Sequence, residues 1–226
     1  MNGYIGTEKE YQELEKLSTK LGIPVPMMFL EREIKFGEEV VKKEKGRSHT
    51  WNRNFWNAIY SACGAPGTSA TFGAGYLCNK ALSGALGVPR TENLGFAVNG
   101  FWLGAIGSTA QGIVVGTGVG VESFESYAMG TLIAHGIVAG TLSYSAMAAH
   151  TASYDAPSKV WTTSLVRIMN NNSGNTINVG EIGIHSYAGF SGQPILVNRD
   201  LLGAPDVLVN GAQYTVTYTI TLTFPA

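Results

Sequence analysis

Charge is what this sequence has least of. Of 226 residues only 14% are Asp, Glu, Lys or Arg, against roughly 25% in an ordinary soluble domain. The formal net charge of -1 excludes the strong one-sided field of a nucleic-acid or anionic-lipid binder. Cysteine is almost missing. Cys63 and Cys78 are too few for a disulfide framework and lack paired metal-ligand spacing, so both read as small buried hydrophobes. No secretory leader is expected: residues 8–16 are EKEYQELEK, where such a signal needs an apolar run, and synthesis in a cytoplasm is the expectation. A long hydrophobic span is also lacking. Residues 93–121 carry no charge over 29 positions, but eight of them are glycine, and Asn93, Asn99, Ser108, Thr109, Gln111 and Thr117 break up the rest. A spanning helix wants about 20 mostly apolar residues, so buried strands and turns fit better than membrane insertion.

The charges present are unevenly placed. Nineteen of the 31 fall in residues 1–53, which predicts a charged N-terminal arm over 1–50 and a glycine-rich, charge-poor body over 51–226. In the arm, TEKEYQELEKLSTKLG (7–22) has helical spacing at Tyr11, Leu14, Leu17 and Leu21, a capping pair in Thr7 and Glu10, and a stop at Gly22. Residues 30–46 read as a charged hairpin or edge strand pair with Ile34 and Phe36 inward, after an extended crossing forced by PVPMMFL. WNRNFWNAIYSACG (51–64) suits a second helix with Trp51, Phe55, Ile59 and Ala62 on one face, and Phe124, Tyr127 and Ala128 suit a helical turn within 121–133.

From residue 65 onward, short apolar runs alternate with Gly, Ser, Thr and Asn every eight to twelve residues. That spacing predicts a mainly β body, an antiparallel, jelly-roll-like sandwich, although a closed barrel has the same signature. The final strand is the clearest. Tyr214, Val216, Tyr218, Ile220, Leu222 and Phe224 fall on one face, predicted to be core; Thr215, Thr217, Thr219, Thr221 and Thr223 fall on the other, a solvated surface or a subunit contact. An edge strand this free of lysine and proline would invite pairing, so it lies inside a sheet or across an interface. Residues 159–184 read as a hairpin turning at NNSGN, which would bring Arg167 and Glu181 together as a cross-strand ion pair.

Local chemistry assigns no active site. GTGVGV (116–121) has GxGxG spacing and no acid about 20 residues on to hold a ribose, so it reads as a turn rather than a dinucleotide loop. His49, His135, His150 and His185 form no metal-binding pair, and no nucleophile elbow is present. A carboxylate pair would have to come from Glu92, Glu122, Glu125, Asp155, Glu181, Asp200 and Asp206, with nothing to single out two of them. Tyr144, Tyr154, Trp161, Tyr187 and Phe190 lie near predicted loops and suit either sugar stacking or core and interface anchoring. KKEKGR (42–47) is interrupted by Glu44 and reads as a solvated turn. No cofactor or metal is expected, and the chain is not expected to be an enzyme.

Several segments then carry a resemblance. SHTWNRNFWNAIYSA (48–62), TFGAGYL (71–77), GIVVGTGVGVESFESYAMGTLIAHG (112–136), LSYSA (142–146), RIMNNNSGNTINVGEIGI (167–184), LVNRDLL (196–202) and VTYTITLTF (216–224) resemble, in order, segments of uncharacterised structural proteins of tailed bacteriophages. The likeness covers residues 30–226 and is stronger in the second half. It implies a virion component without catalytic activity, assembled with copies of itself and other virion proteins in a tail, neck or fibre. A receptor- or glycan-binding module at a tail tip or capsid surface, and a capsid-decorating or filament-forming subunit, are the alternatives. Scarce surface charge fits such a subunit, because sparse charge opposes association poorly; a single large sandwich with a Ser/Thr/Asn skin is the plainer reading.

Overall fold

The computed structural model describes residues 8–48, 51–64, 77–87, 102–187 and 193–224. His49, Glu92, Phe190, the Thr7 cap and the side chains of Ala62 and Cys63 fall outside the described residues. Helix α1, Glu8–Leu21, stops where Gly22 takes a φ of 67° and Ile23 N–H donates to Ser18 O at 3.1 Å. The larger sheet contains β1 (Pro26–Phe36), β2 (Glu39–Arg47), β6 (Ser143–Tyr144), β7 (Thr151–Asp155), β8 (Val160–Asn170) and β11 (Ala212–Thr223). Its order is β2-β1-β11-β8-β6, with β7 also on β8. The smaller sheet contains β5 (Gly112–Gly116), β9 (Ile177–Ser186) and β10 (Ile195–Leu208) in the order β10-β9-β5. All these pairings are antiparallel. The two sheets share one core in a sandwich-like arrangement. Helix α2 (Arg53–Gly64) and the short pair β3 (Asn79–Lys80) and β4 (Leu86–Gly87) lie beside β10.

The terminal strand holds this architecture together. Strand β11 lies inside its sheet, with β1 on one side (Leu30↔Tyr218) and β8 on the other (Leu165↔Tyr218). Tyr214, Val216, Tyr218 and Ile220 are buried, each such side chain contributing about 1.5–3 kcal/mol. Leu222 is only half-buried and Phe224 is 40% exposed, packed edge-on against Tyr154 at 6.0 Å. The alternation therefore outruns the core by two inward positions. Thr215, Thr217, Thr219 and Thr221 are half-buried on the outer face and Thr223 is exposed.

Five expectations need correction. Residues 26–47 do not belong to a separate arm. Met28, Leu30 and Ile34 enter the core, while Glu31 and Glu33 pair with Lys43 on the opposite face, so the charge density marked a sheet face and not a domain boundary. Phe36, expected inward, is 52% exposed at the turn into β2. Residues 159–184 do not form a paired hairpin: both edges of β8 are already taken by β11 and by β6 and β7, so 171–176 carry the chain to the other sheet. Asn171 organises that crossing, donating to Asn175 O at 2.8 Å and Leu208 O at 2.7 Å, and Gly174 turns it at φ 78°. In α2 the inward face is Asn54, Phe55, Ala58 and Ser61, with Ile59 outward; the helix begins at Arg53, and Trp51, just before it, stacks on Phe55 at 3.9 Å. Residues 121–133 contain no helix.

Candidate functional site

Placing Arg167 and Glu181 in different sheets gives each its own partners. The Arg167 guanidinium, wholly buried, donates to Ser145 O (3.0 Å), Ile113 O (2.8 Å), Gln111 O (3.2 Å) and Ala105 O (2.9 Å), and lies 4.8 Å from the Tyr144 ring centre. Burial lowers its pKa to about 10, which still leaves it charged at neutral pH. Glu181 pairs with Arg199 Nε at 2.7 Å and accepts the N–H groups of Gly118, Gly130 and Thr131. Burial pushes its carboxyl upward, but Thr131, Gly130 and Arg199 outweigh that and hold it below its ordinary value. A Cβ at Gly118 would collide with this carboxylate, which explains a glycine within VVGTG.

Two more carboxylates tie the sheets together. Asp206 accepts from Tyr214 Oη (2.6 Å), Arg32 Nη1 (2.6 Å) and Lys42 Nζ (2.7 Å). Asp200 accepts from Tyr218 Oη (2.8 Å) and Ser48 Oγ (2.7 Å). The tyrosines are four residues apart and the aspartates six; the shift of register in β10 between Leu201 and Asp206 reconciles the two spacings. Burial, with the adjoining carboxylate, raises both tyrosines well above the usual phenol range. Glu122 accepts from Leu201 N–H, Glu125 pairs with Arg53, and Asp155 accepts from the Ser158 amide and hydroxyl. Every described carboxylate of residues 51–226 thus has a structural partner, and among the described residues no group of three His, Cys, Asp or Glu could hold a metal.

His185 is buried, and its Nδ1 lies 2.7 Å from Thr109 O, so Nδ1 carries the proton and donates. Nε2 is buried without a partner, and adding a proton there would strand a donor. Burial accordingly lowers the pKa to about 4. The unfolded chain, with a histidine pKa of about 6.5, then binds the proton first, so stability falls as pH drops from about 6.5 to about 4, by on the order of 3 kcal/mol. We expect His185→Phe to flatten urea-unfolding stability across that window; an unchanged slope would contradict the assignment.

The aromatic candidates separate. Tyr144 is core, its hydroxyl donating to Ile133 O at 2.9 Å. Tyr154 is 55% exposed, Trp161 is half-buried beside the core, and Tyr187 is 39% exposed at the end of β9. Two surface concavities among the described residues bear on function. One, about 410 Å³, lies at the turn end of the sandwich between Thr117, Val119, Gly140, Asn178 and Pro205, with no charged residue in its wall. The other, about 420 Å³, lies between α2, the β3–β4 pair and residues 125–127. Sequence reasoning singled out neither, nor Arg199 or Lys80; of the second wall it had named Cys78, expected buried but half-buried here, with Glu125 and Tyr127. No protein-family model, curated protein or solved structure matches the chain.

Proposed function

We propose that this protein is a self-assembling structural subunit of a tailed-phage virion, repeated in a tail, neck or fibre through contacts between its β domains. The observation that supports assembly is the apolar turn end. There Val119, 82% exposed, lines the uncharged concavity, and Val207, 54% exposed, is the strand partner of its wall residue Asn178; apolar side chains left open beside such a cleft favour association. The opposite end carries exposed Tyr154 and Phe224, so a head-to-tail contact between ends would build a ring or a filament. The half-buried threonine stripe of β11 is a second contact surface in this reading. Support for the virion setting comes from the resemblance of residues 30–226 to phage structural proteins.

Sedimentation velocity and electron microscopy of the purified chain test the reading. Wild type is expected to form rings or filaments as concentration rises. Val119→Asp combined with Val207→Asp is expected to remain a folded monomer, since both side chains already face solvent. A wild-type chain that stays monomeric at high concentration, or a double variant that assembles normally, would overturn it.

A further inference from the structure

The concavity beside α2 is lined by charged, polar and apolar side chains together. Residues 54–226 contain five cations, Lys80, Arg90, Lys159, Arg167 and Arg199, and two of them, Arg167 and Arg199, are consumed by the interior bonds described above. Lys80 is placed on the concavity wall instead. Its Nζ stands 3.7 Å from the centre of the Tyr127 ring, and no described carboxylate is within ion-pair distance of it. Glu125, the one acid in the same wall, is engaged by Arg53. Among the described residues the concavity therefore holds one net positive charge, set against the tyrosine face.

The rest of the wall is hydrogen-bonded to α2 and mixed in polarity. Asn54 accepts from Lys80 N–H at 2.8 Å and donates to Lys80 O at 2.9 Å, which clamps the lysine backbone to α2. Asn57 donates to Cys78 O at 2.6 Å through Nδ2, leaving its Oδ1 able to accept from a hydroxyl. Ser126 adds a further polar group, while Leu77 and Leu86, 43% and 55% exposed, add apolar wall. One cation, hydroxyl-sized polar groups and an apolar surface match a ring that carries one carboxylate, several hydroxyls and a C–H face. At about 420 Å³ the space falls in the usual range of ligand pockets, roughly 300–1,000 Å³.

From this juxtaposition the geometry points to a binding site for an acidic monosaccharide unit, its carboxylate on Lys80 Nζ, its hydroxyls on Asn57 and Ser126, and its apolar face against Leu77 and Leu86. The site is independent of the assembly surface and stands or falls without it. Strong attraction is not expected from a single half-exposed lysine; selectivity is the sharper signature, because a neutral sugar leaves the ammonium without a counter-charge.

Titration of the intact protein with glucuronate, N-acetylneuraminate, glucose and inorganic phosphate, followed by NMR or calorimetry, tests it. Saturable binding of an acidic sugar is expected, with glucose and phosphate severalfold weaker. Lys80→Met is expected to lower that affinity severalfold and Lys80→Arg to retain most of it, both with the wild-type melting temperature. Equal binding of glucose would reveal an uncharged cleft, and equal binding of phosphate a simple anion site; either overturns the proposal. So do silence toward both acidic sugars at millimolar concentration and undiminished binding by Lys80→Met. Oligomer size, measured on the same samples, reports on the assembly reading alone.

Discussion

Arg167→Ala is expected to lower the unfolding free energy by about 3–5 kcal/mol, because four carbonyl acceptors lose a charged donor at about 1–3 kcal/mol each before water recovers part of the loss. The reason is geometric. One planar fork satisfies four carbonyls drawn from three stretches of chain: Ala105, Gln111 with Ile113, and Ser145. These stretches lie outside the strand ladders or at their edges, so alanine leaves acceptors that no neighbouring strand can take over. It also vacates the volume beside the Tyr144 ring. Arg167→Lys keeps the charge but offers three donors from one point, which cannot span the four acceptors; an intermediate loss is expected. Urea unfolding checks both variants. A loss below about 1 kcal/mol for alanine would mean that water or other donors replace the guanidinium.

That residue shows where sequence reading succeeds and where it stops. The alternation of Tyr214 to Ile220 is a property of one strand and needs no partner to be seen, so its buried face was legible. Which strands flank it was not, since partner choice depends on contacts far along the chain. The NNSGN turn was equally visible, but a turn specifies a change of direction and not the sheet that receives the next strand. Pairing Arg167 with Glu181 assumed the nearest sheet. The real partner of Glu181, Arg199, sits in LVNRDLL among apolar residues that gave no sign of an ion pair. Nor does sequence disclose that Lys80 lacks an ion-pair partner among the described residues, since that is a fact about its surroundings. In the first 50 residues composition misled, because a strand with Glu31, Glu33 and Lys35 on one face and Met28, Leu30 and Ile34 on the other resembles a polar tail when faces are not separated.

Glu181→Ala is expected to cost a comparable amount, about 3–5 kcal/mol at neutral pH. Its carboxylate gathers the Gly118, Gly130 and Thr131 amides and the Arg199 side chain around one buried point, and alanine would leave that arginine without its charge partner. Glu181→Gln keeps one acceptor oxygen and should lose less. The pH dependence has a definite sign. Because the folded-state pKa lies below that of the unfolded chain, the carboxylate's contribution is full above the unfolded value, about 4.3, and disappears as pH falls through the folded value. The gap between Glu181 and Glu181→Ala chains should therefore narrow in acid when both carry His185→Phe, since Glu181 also favours the protonated His185 imidazole. Unfolding curves from pH 7 down to about pH 3 would display it, and a gap independent of pH would mean that Glu181 acts through packing and not charge. The same carboxylate pins the 117–131 loop, from which Val119 projects at the turn end. Glu181→Gln should then raise protease cleavage within that loop while the sheets stay folded, and it should weaken assembly if the turn end is the contact. A variant with a loosened loop and undiminished assembly would move the contact away from Val119, leaving the threonine face of β11 as the surface to test.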